Sequence, residues 1–326
     1  MKKARIIGTG SYLPEKILTN FDLEKMVDTS NDWILARTGI EQRRIVADGE
    51  ATSDMATKAA VRALEAAGVE AEELDLIVMG TITGDYPWPA TACIVQNNLG
   101  AKKAYAYDLS AACSGFVYAL SSATDFLLAG RGQKALVIGA ETLSRVIDWT
   151  DRNTCVLFGD GAGAVVLEAQ DGEAGVLSTH LHSDGSYFDL LYQPGFGARN
   201  PASQQGLDER MCSLRMQGNE VFKVAVRSLT DVSQEALDAN GFSAEEINLF
   251  IPHQANRRIL EATAKRLGLN DQQCFINVHK YGNTSGATIP VAMDEAFRAG
   301  QLQPGDLVLL AAFGGGFTWG SALIRW

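Results

Sequence analysis

The residues best placed to do chemistry in this chain are a cysteine, a histidine and an asparagine, each where a predicted strand gives way to a loop. The stretch Asp108-Leu-Ser-Ala-Ala-Cys113-Ser-Gly115 follows an apolar run from Tyr105 to Leu109. It precedes a helical pattern at Phe116, Val117, Leu120, Phe126 and Leu127. This reads as a strand, a tight turn and a helix starting at or near Cys113. A cysteine there would face unpaired N–H groups and the positive end of the helix dipole, and both favour thiolate. The alternative is a small buried hydrophobe, a common fate of free cysteine. In Leu249-Phe-Ile-Pro-His253-Gln-Ala-Asn256 a strand ends in a histidine, ahead of a helix from Arg257 to Leu267. Val278-His-Lys-Tyr-Gly-Asn283-Thr-Ser-Gly286 reads as a strand ending in a Gly-Asn turn before a helix from Ala287 to Ala299.

Thiol, imidazole and amide together suit two chemistries. One is hydrolysis, with histidine as base and asparagine orienting it. The other is acyl transfer, in which cysteine carries an acyl group while histidine and asparagine face a second substrate. No Cys-Gly-Ser-Cys-Trp type of motif surrounds Cys113, which argues against the hydrolase. Phe313-Gly-Gly-Gly-Phe317 supplies close-set backbone N–H groups, suited to an oxyanion or to a plain hairpin turn. His180, His182 and His279 lack a strand-end loop setting. His180-Leu-His182 has no Cys, Asp or Glu cluster to complete a metal site.

The elements that must position these residues alternate between strand and helix. Ile6-Ile-Gly-Thr-Gly10 predicts a first strand, Ser53 to Ala67 a helix capped by Gly68, and Leu74 to Met79 a buried strand. The alternation predicts an α/β layered fold. It also repeats. Residues 63–78 lie over residues 236–251 without a gap, a spacing of 173, and eight of sixteen positions are identical. The overlay continues more faintly: Tyr105 to Gly115 over Phe275 to Ser285, which sets Cys113 opposite Asn283, and Ala135 to Ala140 over Leu307 to Ala312. Gly161 to Leu167 likewise resembles Gly320 to Arg325. Two similar halves, 1–172 and 173–326, are expected, each with its own sheet and with corresponding loops meeting at one central site. No Pro/Gly/Ser-rich linker separates them. The stretch from Gln193 to Gln205 reads as a surface excursion.

Bulk properties narrow the function. The chain has 326 residues, 46% hydrophobic and 21% charged, with net charge −11. That balance suits a soluble protein and argues against a general nucleic-acid binder. Five dispersed cysteines without a CxxC pair suit a reducing cytosol. The first residues lack the apolar core of a signal peptide, and no run reaches membrane-spanning length. A cytoplasmic protein is expected.

Taken together, several segments resemble the β-ketoacyl-[acyl-carrier-protein] synthase III family. They are Asp160-Gly-Ala-Gly-Ala, Pro252-His-Gln-Ala-Asn256, Gly282-Asn-Thr-Ser285 and Phe313-Gly-Gly-Gly-Phe-Thr-Trp-Gly320. Gly8-Thr-Gly-Ser-Tyr-Leu-Pro14 and Ser30-Asn-Asp-Trp33…Arg37-Thr-Gly-Ile40 resemble it too. The resemblance implies the thiolase fold, an internally duplicated αβαβα arrangement of five layers. It implies an acyltransferase that condenses a short acyl-CoA with malonyl-ACP, starting type II fatty acid synthesis without metal or redox cofactor. Cys113 would carry the acyl group, with His253 and Asn283 on the malonyl thioester oxygen and backbone N–H groups of Cys113, Gly314 and Gly315 around the oxyanion. Trp33 and Arg152 would sandwich the CoA adenine. Thr29, Arg37, Gly218, Ala255 and Asn256 would line the pantetheine tunnel, with Phe222 and Phe313 nearby. Trp88 would line the acyl pocket from the second subunit of a homodimer, as a larger ring than the phenylalanine expected there. Arg258, Lys265 and Arg266, on one helix face, would join Lys223 as a basic patch for the acyl carrier protein. A related enzyme of secondary metabolism with another acceptor, or a non-catalytic acyl-binding protein, would be the alternatives.

Overall fold

Apolar strands between glycine-capped helices account for most of the chain in the computed structural model, which describes residues 2–326. The strands are β1 (Lys2–Tyr12), β2 (Lys16–Thr19), β3 (Gln42–Ile45), β4 (Leu76–Gly80), β5 (Tyr105–Leu109), β6 (Lys134–Thr142) and β7 (Asp160–Asp171). They continue with β8 (Gly175–Ser183), β9 (Leu191–Tyr192), β10 (Arg215–Met216), β11 (Leu249–Pro252), β12 (Leu307–Gly314) and β13 (Thr318–Arg325). The helices are α1 (Asn20–Leu23), α2 (Asn31–Thr38), α3 (Thr52–Ala67), α4 (Thr91–Leu99) and α5 (Gly115–Leu128). After them come α6 (Gln204–Asp208), α7 (Gly218–Asn240), α8 (Arg257–Leu267), α9 (Val278–Tyr281) and α10 (Thr288–Arg298).

Two sheets organise the molecule: β1-β7-β6-β4-β5 from the first half and β11-β12-β13-β8 from the second. Helices α5 and α10 lie between the sheets, α3 and α4 cover the first from outside, and α7 and α8 cover the second. The result is the five-layered α/β thiolase-like arrangement. The central layer has the most apolar helix faces: Phe116, Leu120, Ile289 and Met293 pack between Val78 on one side and Val308 on the other. Each such buried side chain contributes roughly 1.5–3 kcal/mol. Helices α3 and α7 both end in left-handed glycines, Gly68 and Gly241, at the same point of the repeat.

The duplication is real, but its faint parts need a new register. Ile77 pairs with Leu136 in the first sheet and Phe250 with Leu309 in the second, so the 173-residue spacing carries β6 onto β12 one residue from the expected overlay. Gly139 opposite Gly163 corresponds to Ala312 opposite Gly320, two residues from the expected match. The counterpart of β5 is reduced to one bridge between Phe250 and Cys274. The expected strand at Val278 is instead the single helical turn α9. There the chain bonds away from the sheet, with the His279 carbonyl accepting from the Glu41 N–H and Asn277 N–H donating to the Gln254 side chain. Asn283 falls opposite Ser110 at the same spacing, in a segment folded differently from its first-half counterpart. Cys113 falls opposite Gly286, because Ala112 and Ser285 both have positive φ (47° and 50°) and each leads a 3-10 turn into a central helix.

Both turns press on glycines of the first sheet. A Cβ on Gly139 would overlap the Gly286 carbonyl oxygen, and one on Gly80 would overlap the Gly115 backbone. Viewed from the other side the Gly286 contact is looser: a Cβ there would meet the Gly80 oxygen at 3.4 Å. Gly139→Ala is therefore expected to cost at least about 2 kcal/mol by forced backbone movement, and Gly286→Ala less than about 1 kcal/mol. Denaturant unfolding of the two variants checks this; equal costs would rule out the asymmetry.

Candidate active site

Cys113 lies in the 3-10 turn Ala112–Ser114 between β5 and α5, and only 8% of it is exposed. The β12–β13 hairpin clamps this turn. The Thr318 hydroxyl donates to the Ala111 carbonyl (2.9 Å) and the Ser114 hydroxyl to the Thr318 carbonyl (2.9 Å). Gly314 packs against the Cys113 amide so closely that a Cβ would stand 2.6 Å from that nitrogen. Burial pushes the Cys113 thiol up to about 12, with the Glu141 charge adding to the effect and the Ser285 hydroxyl opposing it. The expectation of a thiolate is thereby corrected. The helix proper starts two residues later, at Gly115, and desolvation is the largest influence on the thiol. Cys113 is a thiol at neutral pH.

His253 follows the last residue of β11, with its N–H donating to the Ala311 carbonyl (2.8 Å). It is 2% exposed, and burial pushes its pKa down to about 3, so the ring is neutral. Its Nδ1 lies 2.7 Å from Thr288 Oγ1. Asn283 is pinned from the first half: its N–H donates to the Leu157 carbonyl (2.8 Å) and its carbonyl accepts from the Gly159 N–H (3.0 Å). Beneath that loop the fully buried Arg43 donates to the carbonyls of Leu18 and Val156. Asn283 Oδ1 accepts from the Ser285 N–H (2.8 Å), which leaves the amide nitrogen as its donor.

Ser285 is the meeting point of these groups, and it was not expected to be. Its N–H orients Asn283, its carbonyl accepts from the Thr288 hydroxyl (3.0 Å), and its hydroxyl donates to Glu141 Oε1 (3.1 Å). Glu141, next to the end of the apolar strand β6, is fully buried and also accepts from Thr81, from the Ile82 and Thr83 amides and from the Thr83 hydroxyl. A lone carboxylate closing an apolar run was the one sequence signal for it. The cavity beside Cys113 has a volume of about 70 Å³ and is walled by Ile82, Leu143, Val146, Phe158, Leu191 and Leu214. A wider open cleft of about 790 Å³ lies at Tyr12, Glu50 and Lys58, where lysine and glutamate neutralise each other.

The remaining expected residues lie around the contact of α2 with α8 and at separate places on the surface. Trp33 carries the guanidinium groups of Arg37 (4.6 Å) and Arg152 (5.0 Å) over its ring, and Arg152 also donates to the Asp28 carbonyl (2.9 Å). An adenine between Trp33 and Arg152 would require that arginine to swing away. The Thr29 hydroxyl is buried without a hydrogen-bond partner. Asn256 caps α8 and donates to the Arg37 carbonyl (3.1 Å), and the Ala255 N–H donates to the His253 carbonyl (2.8 Å), so hydrogen bonds and chain connect Arg37 to the buried histidine. Phe222 carries Arg258 over its ring at 5.4 Å, close to exposed Gly218, and Phe313 is buried against Phe317. Lys223 pairs with Glu220 (2.8 Å), while Lys265 and Arg266 are exposed in the last turn of α8. That places them about 10 Å along the helix from Arg258. Gly315 lines the cavity, but Trp88 does not: it projects on a loop, 83% exposed. His180 and His182 both bind Glu235, away from this site. Among the described residues no group of His, Cys, Asp or Glu could hold a metal ion.

Burial raises the Glu141 carboxyl to about 7 from an ordinary 4.5, despite its hydrogen-bond donors. A raised carboxyl favours the fold below pH 4.5, and that contribution fades as the pH climbs to 7, on the order of 3 kcal/mol in all. Glu141→Gln, which cannot ionise, should lose this part of the pH dependence. Chemical denaturation at pH 4.5 and 7.5 measures it, and an unchanged slope would contradict a raised carboxyl at this position.

Known proteins match this architecture over nearly its whole length. The family model for 3-oxoacyl-[acyl-carrier-protein] synthase III fits residues 107–185, and the model for that family's C-terminal part fits residues 237–326. A β-ketoacyl-[acyl-carrier-protein] synthase III of Xanthomonas euvesicatoria is 56% identical over 99% of this chain and 98% of its own length. The crystal structure of the Aquifex aeolicus 3-oxoacyl-[acyl-carrier-protein] synthase III, 50% identical, superposes with a TM-score of 0.92 over 99% of this chain and 100% of that one. A priming β-ketosynthase from the R1128 polyketide pathway, 34% identical, gives a TM-score of 0.92 over 99% and 96%. The duplicated fold, the residues gathered around Ser285 and these matches agree, and the chain belongs to the 3-oxoacyl-[acyl-carrier-protein] synthase III family.

Proposed function

We propose that this chain, an initiating condensing enzyme of fatty acid synthesis, uses Cys113, His253 and Asn283 to join a short acyl group to malonyl-ACP. The observation that carries the assignment is the buried network through which Ser285 links the cysteine turn to Asn283 and, by way of Thr288, to His253. The Cys113 sulfur would attack the acyl-CoA carbonyl, and the thiol proton would leave on the CoA sulfur. Thioester replaces thioester, so the acyl-enzyme can wait for its partner. Malonyl-ACP would then lose CO2, with Asn283 and His253 holding the thioester oxygen as it becomes an enolate. The carbanion would attack the acyl-cysteine, while N–H groups of Cys113, Gly314 and Gly315 receive the oxyanion. Collapse would release the 3-oxoacyl-ACP and the Cys113 thiolate, which regains a proton. Decarboxylation drives the sequence, and no cofactor enters it.

A cavity of about 70 Å³ holds about five water-sized groups, which supports a short primer such as acetyl. Trp88 and Tyr86 expose apolar surface on the loop that follows Ile82, a residue of the cavity wall. In a homodimer this loop would close the acyl pocket of a second copy. The connected residues Trp33, Arg37, Asn256 and Ala255 support CoA and pantetheine binding, and the partnerless Thr29 hydroxyl offers a further contact. The halves 1–172 and 173–326 would then divide the labour, one carrying the nucleophile and the other the malonyl-binding pair. Among the described residues no helix is long and apolar enough to cross a membrane, which is compatible with work in the cytoplasm. Higher identity to fatty acid synthases than to the polyketide enzyme (56% against 34%) supports fatty acid synthesis over secondary metabolism.

Incubation with acetyl-CoA should add one acetyl group at Cys113, seen by peptide mass spectrometry. Cys113→Ser should abolish that adduct while retaining malonyl-ACP decarboxylation; absence of an adduct on the native chain would overturn the covalent route. Lys265→Glu with Arg266→Glu should raise KM for malonyl-ACP about tenfold at low salt and leave KM for acetyl-CoA alone. An equal rise in both constants would remove these residues from the carrier-protein surface.

A further inference from the structure

Asn283 and His253 become hydrogen-bond donors by different means. The asparagine is fixed: its Oδ1 accepts from the Ser285 N–H at 2.8 Å, so Nδ2 is left as its donor. The histidine is not. A neutral ring carries one proton, and which nitrogen holds it depends on what Nδ1 meets. Nδ1 meets only the Thr288 hydroxyl, at 2.7 Å, and that hydroxyl also lies 3.0 Å from the Ser285 carbonyl. Thr288 therefore has one proton for two acceptors. With the proton on the Ser285 carbonyl, the ring must donate from Nδ1 and Nε2 is bare. With the proton turned to Nδ1, the ring proton sits on Nε2.

Only the second form can donate to a carbonyl oxygen. It leaves nothing orphaned, because the Ser285 carbonyl also accepts the Thr288 backbone N–H that starts α10. Thr288 is 3% exposed, β-branched and in the first turn of the helix, so its oxygen stays in place while its proton turns. We propose that Thr288 is a positioning residue for the decarboxylation half of the reaction, its hydroxyl selecting the Nε2–H tautomer of His253 when a malonyl thioester oxygen arrives. The inference rests on the reading of His253 as a partner of that oxygen.

Two variants and two separate half-reactions test it. Thr288→Val keeps the shape and removes the proton, whereas Thr288→Ser keeps the proton. Acetylation of Cys113 by acetyl-CoA, followed by mass spectrometry, should stay within about twofold in both. Release of CO2 from malonyl-ACP should fall about 10- to 100-fold in Thr288→Val and recover in Thr288→Ser. Equal loss in both half-reactions, no loss of decarboxylation, or failure of serine to rescue it would overturn the assignment. His253→Ala in the same assay tests the underlying reading: if decarboxylation survives that change, the reading itself falls. If it is lost there but not in Thr288→Val, only the role of Thr288 falls. On the unaltered chain, 15N histidine NMR with a malonyl thioester analogue that keeps the thioester carbonyl but carries a sulfonate in place of the carboxylate should find the proton on Nε2; a proton on Nδ1 would overturn the proposal whatever the variants do.

Discussion

The contact on which the rest depends is backbone against backbone, where the two central helix starts meet the first sheet. Gly139 faces Gly286 and Gly80 faces Gly115, and no side chain could stand at Gly139 or Gly80 without moving main chain. Residues two apart on a strand share a face, so Glu141 points to the same side as Gly139. The glycine lets the Ser285 turn approach, and the glutamate two residues on receives the Ser285 hydroxyl. One strand thus sets both the distance of the second-half turn and its orientation. Because β6 pairs with β4 in the same sheet, the turn bearing Cys113 is brought to the same place from the neighbouring strand.

Duplication explains why a two-part site exists, and its imperfections explain what the site can do. The same backbone figure occurs twice at a spacing of 173 residues: a positive-φ residue, a 3-10 turn, then a central helix. In the first copy the middle of the turn is Cys113, and in the second it is Gly286. A cysteine in the second place would meet the first sheet where only a small group fits comfortably. The second half instead places its chemistry around the turn, in the strand end at His253 and in the differently folded segment that holds Asn283. Two identical halves would give two thiols and no counterpart of His253 or Asn283.

Sequence periodicity was enough for the architecture. Alternating elements, glycine caps and the matched segments 63–78 and 236–251 led to a duplicated α/β fold, and the strand-end cysteine and histidine were visible in the same way. Three kinds of information were hidden. Register was one, since small-residue strands such as β7 and β13 align almost equally well when slipped by one or two residues. Protonation was another: the helix start suggested a thiolate, but burial of Cys113 decides otherwise, and burial is a property of the whole fold. The third was the supporting network. Ser285 meets Glu141 across 144 residues of chain and Thr288 meets His253 across 35, and no local pattern marks such pairs.

The protonation states have a common cause and a common effect. Burial holds Cys113 as a thiol and His253 as a neutral ring, and it pulls Glu141 toward its acid form. The resting site therefore carries little fixed charge, and the dipoles of Asn283, the turn amides and His253 are its means of meeting an anion. In the reaction we propose, that setting favours the step that needs most help. A malonyl carboxylate brought into such surroundings loses its water, whereas the enolate left by CO2 spreads its charge toward an oxygen met by oriented donors. The neutrality that makes Cys113 a poor thiolate in isolation is then the same property that favours carbon–carbon bond formation once the acyl group is in place.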